Sequence, residues 1–136
     1  MRPWGLSVGG PVHPDEVWER YAVPALWPTW SPQIRGVDCS TARIAVGARG
    51  RVHGPLGSGV NFVVDAVDEA ARTWSWTVSA GPVRLRLDHG VTARRHGGTT
   101  TTLAVHGPAP VALAYLPMAG IALARLVRRR ARRRDM

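Results

Sequence analysis

The chain has 136 residues but contains no lysine and only one cysteine, Cys39. A lone cysteine excludes an intramolecular disulfide, a C-x-x-C redox pair and a thiolate zinc site. This cysteine usage fits a reducing compartment, so we predict a cytoplasmic protein. Because lysine is missing, arginine supplies all 18 basic side chains, which we interpret as codon bias.

Metal-binding and nucleotide-binding motifs are also missing. The sequence has neither an H-E-x-x-H pattern nor a histidine cluster with metal-ligand spacing. Ser58 lies in Gly57-Ser58-Gly59, which is not a nucleophile elbow, and the glycines from Gly54 to Gly59 are in the wrong order for a dinucleotide loop. We therefore expect no metal and no nucleotide cofactor, and the sequence favours neither a hydrolase nor a metalloenzyme.

The net charge of +9 is unevenly distributed. Residues 1–127 carry 12 arginines against 8 acidic residues, whereas residues 128–136 carry 6 arginines and one aspartate. Three interpretations of Arg128–Arg134 stay open. The segment is a solvated helix end that complements the helix dipole, a weak contact for an anionic membrane, or a contact for nucleic acid or another polyanion. No zinc-finger or RRM pattern accompanies it, so we expect no specific nucleic-acid recognition.

One uncharged apolar run, residues 107–124, is 18 residues long. A membrane anchor with a positive flank is one interpretation, and the buried helix of a domain is the other. The run is short for a membrane span, and its alanines and prolines lower its apolarity. We therefore expect a helix from Ala109 to about Ala131, kinked or split at Pro117 and buried against the concave face of a sheet.

The remaining segments predict two short helices after a first strand, followed by a series of strands. Residues 4–9 form the candidate first strand, and Pro14 with two acidic residues after it marks a helix start. Prolines 24, 28 and 32 leave room for one further helical turn. Alternating apolar and polar residues then predict an antiparallel meander. Its candidate strands are residues 34–39, 47–52, 60–67, 72–79, 83–91 and 99–105.

Several short segments, in this order, resemble one known superfamily. They are Pro14-Asp15-Glu16-Val17-Trp18, Trp27-Pro28-Thr29-Trp30-Ser31-Pro32, Thr73-Trp74-Ser75-Trp76, Asp88-His89-Gly90-Val91 and Gly97-Gly98-Thr99-Thr100-Thr101. The ordered set is similar to the SRPBCC (START-like, helix-grip) superfamily, and most of all to its polyketide cyclase/dehydrase and lipid-transport branch.

The resemblance implies an α+β fold in which an antiparallel sheet of about six or seven strands curves around a long C-terminal helix. It implies one ligand-binding domain over residues 1–127, with residues 128–136 as an arginine-rich tail. It also implies a cavity between sheet and helix for a small hydrophobic molecule of lipid, polyketide or quinone type. Two alternatives stay open: a cyclase or dehydratase, and a basic protein that acts at membranes or nucleic acids through its tail.

The candidate ligand-binding residues are strand residues on the expected cavity face, a tryptophan in the irregular segment near the expected cavity mouth, and two leucines that give the last helix its bulk. They are Trp30, Phe62, Trp74, Trp76, Leu85, Leu87, His89, Leu113 and Leu116. For the tryptophans, the alternative is that they simply fill the core. His89 is the candidate catalytic residue, because an imidazole in phase with apolar neighbours could act as acid or base. The alternative is a core histidine that is hydrogen-bonded to a neighbour.

Overall fold

The computed structural model describes residues 4–128, which form seven strands, two α-helices and two short 3-10 helices. The strands are β1 (Trp4–Gly10), β2 (Gly36–Cys39), β3 (Arg49–His53), β4 (Gly59–Asp68), β5 (Thr73–Ala80), β6 (Val83–Ala93) and β7 (Thr99–His106). The α-helices are α1 (Pro14–Ala22) and α2 (Ala109–Leu126), and the 3-10 helices span Pro24–Thr29 and Pro55–Gly57.

The strands form one antiparallel sheet in the order β1-β7-β6-β5-β4-β3-β2. All neighbours except β1 and β7 are consecutive in sequence, as a meander requires. The register between β4 and β5 shifts between Val64 and Ala66, and such a bulge bends the strand that carries it. The predicted α+β helix-grip fold, with its long C-terminal helix and short helices after the first strand, is confirmed.

Helix α1 begins as its sequence predicts. His13 is the N-cap and accepts a hydrogen bond from Asp15 N at its Nδ1 (3.1 Å), while Pro14 occupies the first helical position, where no N–H is needed. Trp18 and Tyr21 share the buried side of the helix. The 3-10 helix Pro24–Thr29 follows at once, so both short helices bring aromatic side chains to the same face of the sheet.

Helix α2 differs from the prediction in two ways. It is continuous through Pro117 and ends at Leu126; residues 129–131, which the prediction included, lie outside the described residues. Pro117 leaves the carbonyl of Leu113 without its helical donor, but both residues are exposed, so water can satisfy that carbonyl. The second difference is burial: the outer side of α2 faces solvent, and Leu113 is 48% exposed.

By length and composition α2 could cross a membrane, since its mean hydropathy is 1.5. Its inner side nevertheless packs on the domain, closest to β1 and β7. The buried positions recur every three or four residues and are mostly small; they are Ala112, Ala119, Ala122, Leu123 and Leu126. This packing favours the domain-helix interpretation of the apolar run over the anchor.

The C-terminal end of α2 is fixed to the start of the chain. The carbonyl of Val127 accepts a hydrogen bond from Val12 N (3.2 Å), and that of Leu126 accepts one from Arg20 Nη1 (2.6 Å). Gly10 lies directly beneath: a Cβ there would meet the carbonyl oxygen of Val127 and its Cγ2, the latter at 2.6 Å. Glycine is therefore needed where β1 meets the end of α2.

Replacing Gly10 by alanine should destabilise the fold by about 1–3 kcal/mol, since the methyl group must push the end of α2 away from β1. Gly5→Ala is the matched control on the same strand, because a Cβ there would meet only the Leu103 carbonyl, at 3.7 Å. Urea unfolding followed by circular dichroism measures both. Equal midpoints for the two variants would contradict this account of the junction.

Candidate functional site

An aromatic cluster covers the concave face of the sheet, where α1 and the first 3-10 helix cross it. Trp74 is central: its ring stacks on Trp27 (centroids 5.8 Å apart, 23° between planes) and on His89 (4.1 Å, 8°). Tyr21 meets Trp74 and His89 edge-on at 5.6 and 5.3 Å. Offset and edge-on contacts of this kind are the favoured geometries for aromatic pairs.

The four indoles of this cluster differ in their hydrogen bonding. Trp27 Nε1 donates to the carbonyl of Tyr21 (2.8 Å), and Trp30 Nε1 donates to that of Arg20 (3.0 Å). Trp74 and Trp76 are only 3% and 8% exposed, yet their Nε1–H groups meet no acceptor among residues 4–128. A buried N–H without an acceptor costs on the order of 1–3 kcal/mol. The concave face therefore holds two unused donors.

His89 lies in the same cluster, on β6 opposite Trp74 of β5. Burial lowers the pKa of His89 to about 4, against smaller raising effects from the Trp74 carbonyl and from Asp88. The imidazole is thus neutral at pH 7. Its Nδ1 lies 3.2 Å from the Trp74 carbonyl, which can only accept, so Nδ1 carries the proton and Nε2 is left as an acceptor.

Most of the candidate ligand-binding residues come together on this concave face. Phe62 contacts Trp76 at 5.1 Å, Trp30 meets Tyr21 edge-on at 5.5 Å, and the strand residues Leu85 and Leu87 are buried. Trp74, Trp76 and His89 complete the group. The expected inward phase of these strand residues agrees with the structure.

The two candidates on α2 are placed differently. Leu116 is half-buried against the core, but Leu113 projects from the outer side of the helix, so its expected position towards the sheet is wrong. The inner side follows the phase of Ala112, Ala119 and Ala122, and Tyr115 lies close to that phase. Burial raises the pKa of Tyr115 to about 12.

Two tyrosines, Tyr21 and Tyr115, were missed by the sequence reasoning. The Tyr21 hydroxyl lies 3.0 Å from Thr101 Oγ1, and burial raises its pKa well above the usual value despite that hydrogen bond. Both hydroxyls are therefore neutral. Helical phase alone could have found Tyr115, since it is three residues after Ala112 and four before Ala119.

The outer face of the same strands carries a groove of about 590 Å³. Small residues of four strands line it in two cross-strand rows: Gly5, Ala104, Asp88 and Ser75, then Ser7, Thr102, Gly90 and Thr73. Burial opposes ionisation of Asp88, but hydrogen bonds from Ser75 (2.6 Å), His106 (2.8 Å) and Arg86 (3.2 Å) keep its pKa below the usual value. On this outer face the polar side chains are hydrogen-bonded to one another.

Among the described residues no group of His, Cys, Asp or Glu side chains is arranged to hold a metal ion. The chemistry of the concave face is instead apolar and aromatic, with neutral polar groups at fixed positions. Two of its indole N–H groups, those of Trp74 and Trp76, are buried without an acceptor among residues 4–128.

Many solved structures share this fold, including the following three. The protein XoxI from Bacillus cereus superposes with a TM-score of 0.78 at 13% identity, covering 93% of this chain and 94% of that one. A protein from Thermobifida fusca gives 0.72 at 18% identity, covering 90% and 85%. The crystal structure of Ara h 8.0201 gives 0.70 at 22% identity, covering 90% and 93%. No curated protein matches the chain.

The curved sheet, the long C-terminal helix and the apolar concave face define an SRPBCC domain. Within that superfamily the chain belongs to the polyketide cyclase / dehydrase and lipid transport family, whose model matches residues 7–133. The match runs past Val127, where the sequence analysis placed the end of the ligand-binding domain.

The depressed pKa of His89 predicts a pH-dependent stability. An unfolded histidine titrates near 6.5 and the folded one near 4, so the unfolded chain binds more protons between these values. Stability should be fully present above pH 6.5 and fall by about 2 kcal/mol from pH 7 to pH 5. His89→Gln should flatten that slope, and the exposed His96→Gln should leave it unchanged. Urea unfolding at several pH values measures this, and an unaltered slope in His89→Gln would refute it.

Proposed function

We propose that the protein binds a small apolar molecule carrying hydrogen-bond acceptors, held between the concave face and α2. The observation that carries the proposal is the pair of buried donors, Trp74 Nε1 and Trp76 Nε1, without acceptors in the described chain. A ligand carbonyl that reached either donor would remove its desolvation cost. The surrounding rings would supply apolar contact to the rest of the molecule. Family membership supports the same class of ligand.

The packing of α2 supports an entry route under its N-terminal half. The C-terminal end is closed by Leu123, Leu126 and Val127, each at most 3% exposed. In the N-terminal half, Tyr115 and Leu116 are half-buried, so less apolar contact holds that part of the helix to the sheet. A ligand inserted there displaces less packing than at the other end.

A carrier or sensor is favoured over a cyclase or dehydratase. The His89 imidazole is neutral at pH 7, and Nδ1 is committed to the Trp74 carbonyl. With a pKa near 4 it is a weak base and supplies no proton as an acid at neutral pH. Its Nε2 is suited instead to accept a hydrogen bond from a ligand hydroxyl.

The proposal is tested with two matched probes, fluorenone and fluorene, which differ by one carbonyl. The wild-type protein should bind fluorenone about 3–10-fold more tightly, the equivalent of one hydrogen bond. Trp74→Phe and Trp76→Phe keep an aromatic ring but remove the N–H, so at least one of them should abolish the preference. Trp27→Phe is the control, because its N–H is already used by Tyr21. Binding is followed by calorimetry.

Native mass spectrometry of protein purified from its own host would then identify the bound molecule. Failure of both probes to bind, together with an empty native protein, would refute ligand binding. Equal affinities for fluorenone and fluorene would refute the role of the indole donors while leaving an apolar site.

We also propose that Arg128–Arg134 attracts the protein weakly to anionic surfaces without affecting ligand choice. Residues 129–134 lie outside the described residues, so the argument rests on their charge alone. Screening acts over about 8–10 Å, and binding that depends on the tail should therefore weaken steeply with salt. We therefore propose a cytoplasmic protein that makes contact with the membrane surface. We propose no specific nucleic acid as its partner.

Replacing the five arginines at 129, 130, 132, 133 and 134 by glutamine tests the tail. We expect unchanged thermal stability and unchanged fluorenone affinity, with lower affinity for anionic vesicles at low salt. The backbone of Arg128, whose carbonyl is bonded to Arg20, is left in place. Loss of the fold, or vesicle binding by the wild type that ignores salt, would contradict the proposal.

A further inference from the structure

The outward side of α2 is apolar although it faces solvent. Leu113, Met118 and Ile121 are 48%, 43% and 56% exposed, and Pro117 lies between them. Leu113, Pro117 and Ile121 follow one another at intervals of four, so they form one row along the helix. We call these four residues the outer stripe of α2. None of the seven strands covers it, since α2 packs on the sheet with its opposite side.

The row continues directly into positive charge. Arg125 is four residues beyond Ile121 and Arg128 three further on, and both are exposed. The sequence contains no acidic residue from Gly107 to Arg134. The outer side of α2 thus joins an apolar row to a cationic end, a combination that fits a lipid surface with anionic headgroups.

We propose that the outer stripe of α2, together with Arg125 and Arg128, is a docking surface for an anionic lipid bilayer, with α2 lying in the plane of the interface. Leu113, Met118 and Ile121 enter the acyl boundary, and the guanidinium groups pair with lipid phosphates. This goes beyond ligand binding and does not depend on it. It builds on the proposed tail contact by giving the membrane an apolar surface as well as a charged one.

Charge complementarity favours a bilayer over a second copy of the chain. Two copies pairing through α2 would bring together helices that carry arginine and no carboxylate. In a parallel pair the arginines meet each other; in an antiparallel pair they meet a helix N-terminus, which is itself positive. Neither arrangement supplies the anions that phosphatidylglycerol headgroups provide.

The structure also favours lying on the bilayer over crossing it. The row from Leu113 to Ile121 is about 12 Å long at 1.5 Å per residue, well short of a 30 Å hydrocarbon core. A spanning helix would also have to withdraw Leu123 and Leu126 from the core and break the bond between Val12 and Val127. An interfacial position leaves all of these contacts intact.

Vesicle flotation of the full chain tests the docking surface. Wild-type protein should bind phosphatidylcholine vesicles containing 30 mol% phosphatidylglycerol and ignore pure phosphatidylcholine. The triple variant Leu113→Gln, Met118→Gln, Ile121→Gln should bind at least about 10-fold more weakly, because the apolar contact is lost. Val46→Gln is the matched control: Val46 is 69% exposed, but lies in the loop between β2 and β3.

The arginines are tested in the same assay. Arg125→Gln with Arg128→Gln should weaken binding by about 25-fold at low salt, since each arginine near the surface contributes about 1 kcal/mol. Arg95→Gln, an exposed arginine in the β6–β7 turn, should change it by less than about twofold. Both variants should have the same urea midpoint of unfolding as the wild-type protein.

A fluorescent label measures whether the outer stripe of α2 inserts into the bilayer. With Cys39→Ser in the background, Ile121→Cys gives one attachment site for an environment-sensitive nitrobenzoxadiazole dye, and Val46→Cys gives the control. The dye at 121 should shift to the blue on anionic vesicles, and the dye at 46 should not. Vesicle binding that survives the triple variant would overturn the proposal in favour of the tail alone. Dimerisation lost in the triple variant, without vesicle binding, would overturn it in favour of a second copy.

Discussion

The stacking of Trp74 between Trp27 and His89 determines much of the domain. Trp27 belongs to the first 3-10 helix, Trp74 to β5 and His89 to β6, so one stack of rings joins the N-terminal helices to the middle of the sheet. The same stack removes His89 from water, which keeps its imidazole neutral, and it covers the indole N–H of Trp74. Packing and the polar chemistry of the site therefore have one origin.

The concave and outer faces of the sheet differ in how fully their buried polar groups are hydrogen-bonded. On the outer face, Ser75, Arg86 and His106 all turn to Asp88, and the carboxylate is satisfied within the protein. On the concave face, two buried indoles have no acceptor in the described chain. Native proteins leave few buried polar atoms unpaired, so these two donors are the unusual feature of the concave face.

The fold could be predicted from the sequence because apolar and polar residues alternate clearly along its strands. Residues 83–91 have a period of two, which turns Leu85, Leu87 and His89 to one side, and the structure has them there. The orientation of helix α2 was harder to predict from the sequence, because the helix is apolar almost all round and its buried side is marked mainly by alanines. The outward position of Leu113 follows from sheet packing that no local pattern records. Pro117 was predicted to kink or split the helix; the helix is not split, because an exposed proline is tolerated where water can take the freed carbonyl.

The junction of α2 with the start of the chain has a consequence for synthesis. Arg20 and the Leu126 carbonyl that it binds are 106 residues apart in sequence. A contact of such separation forms late, because all the residues between Arg20 and Leu126 must be synthesised before both partners are available. Until α2 is available, the face of β1 and β7 on which it packs lies uncovered. The nascent sheet is therefore a candidate client for chaperones during the time needed to translate its last helix.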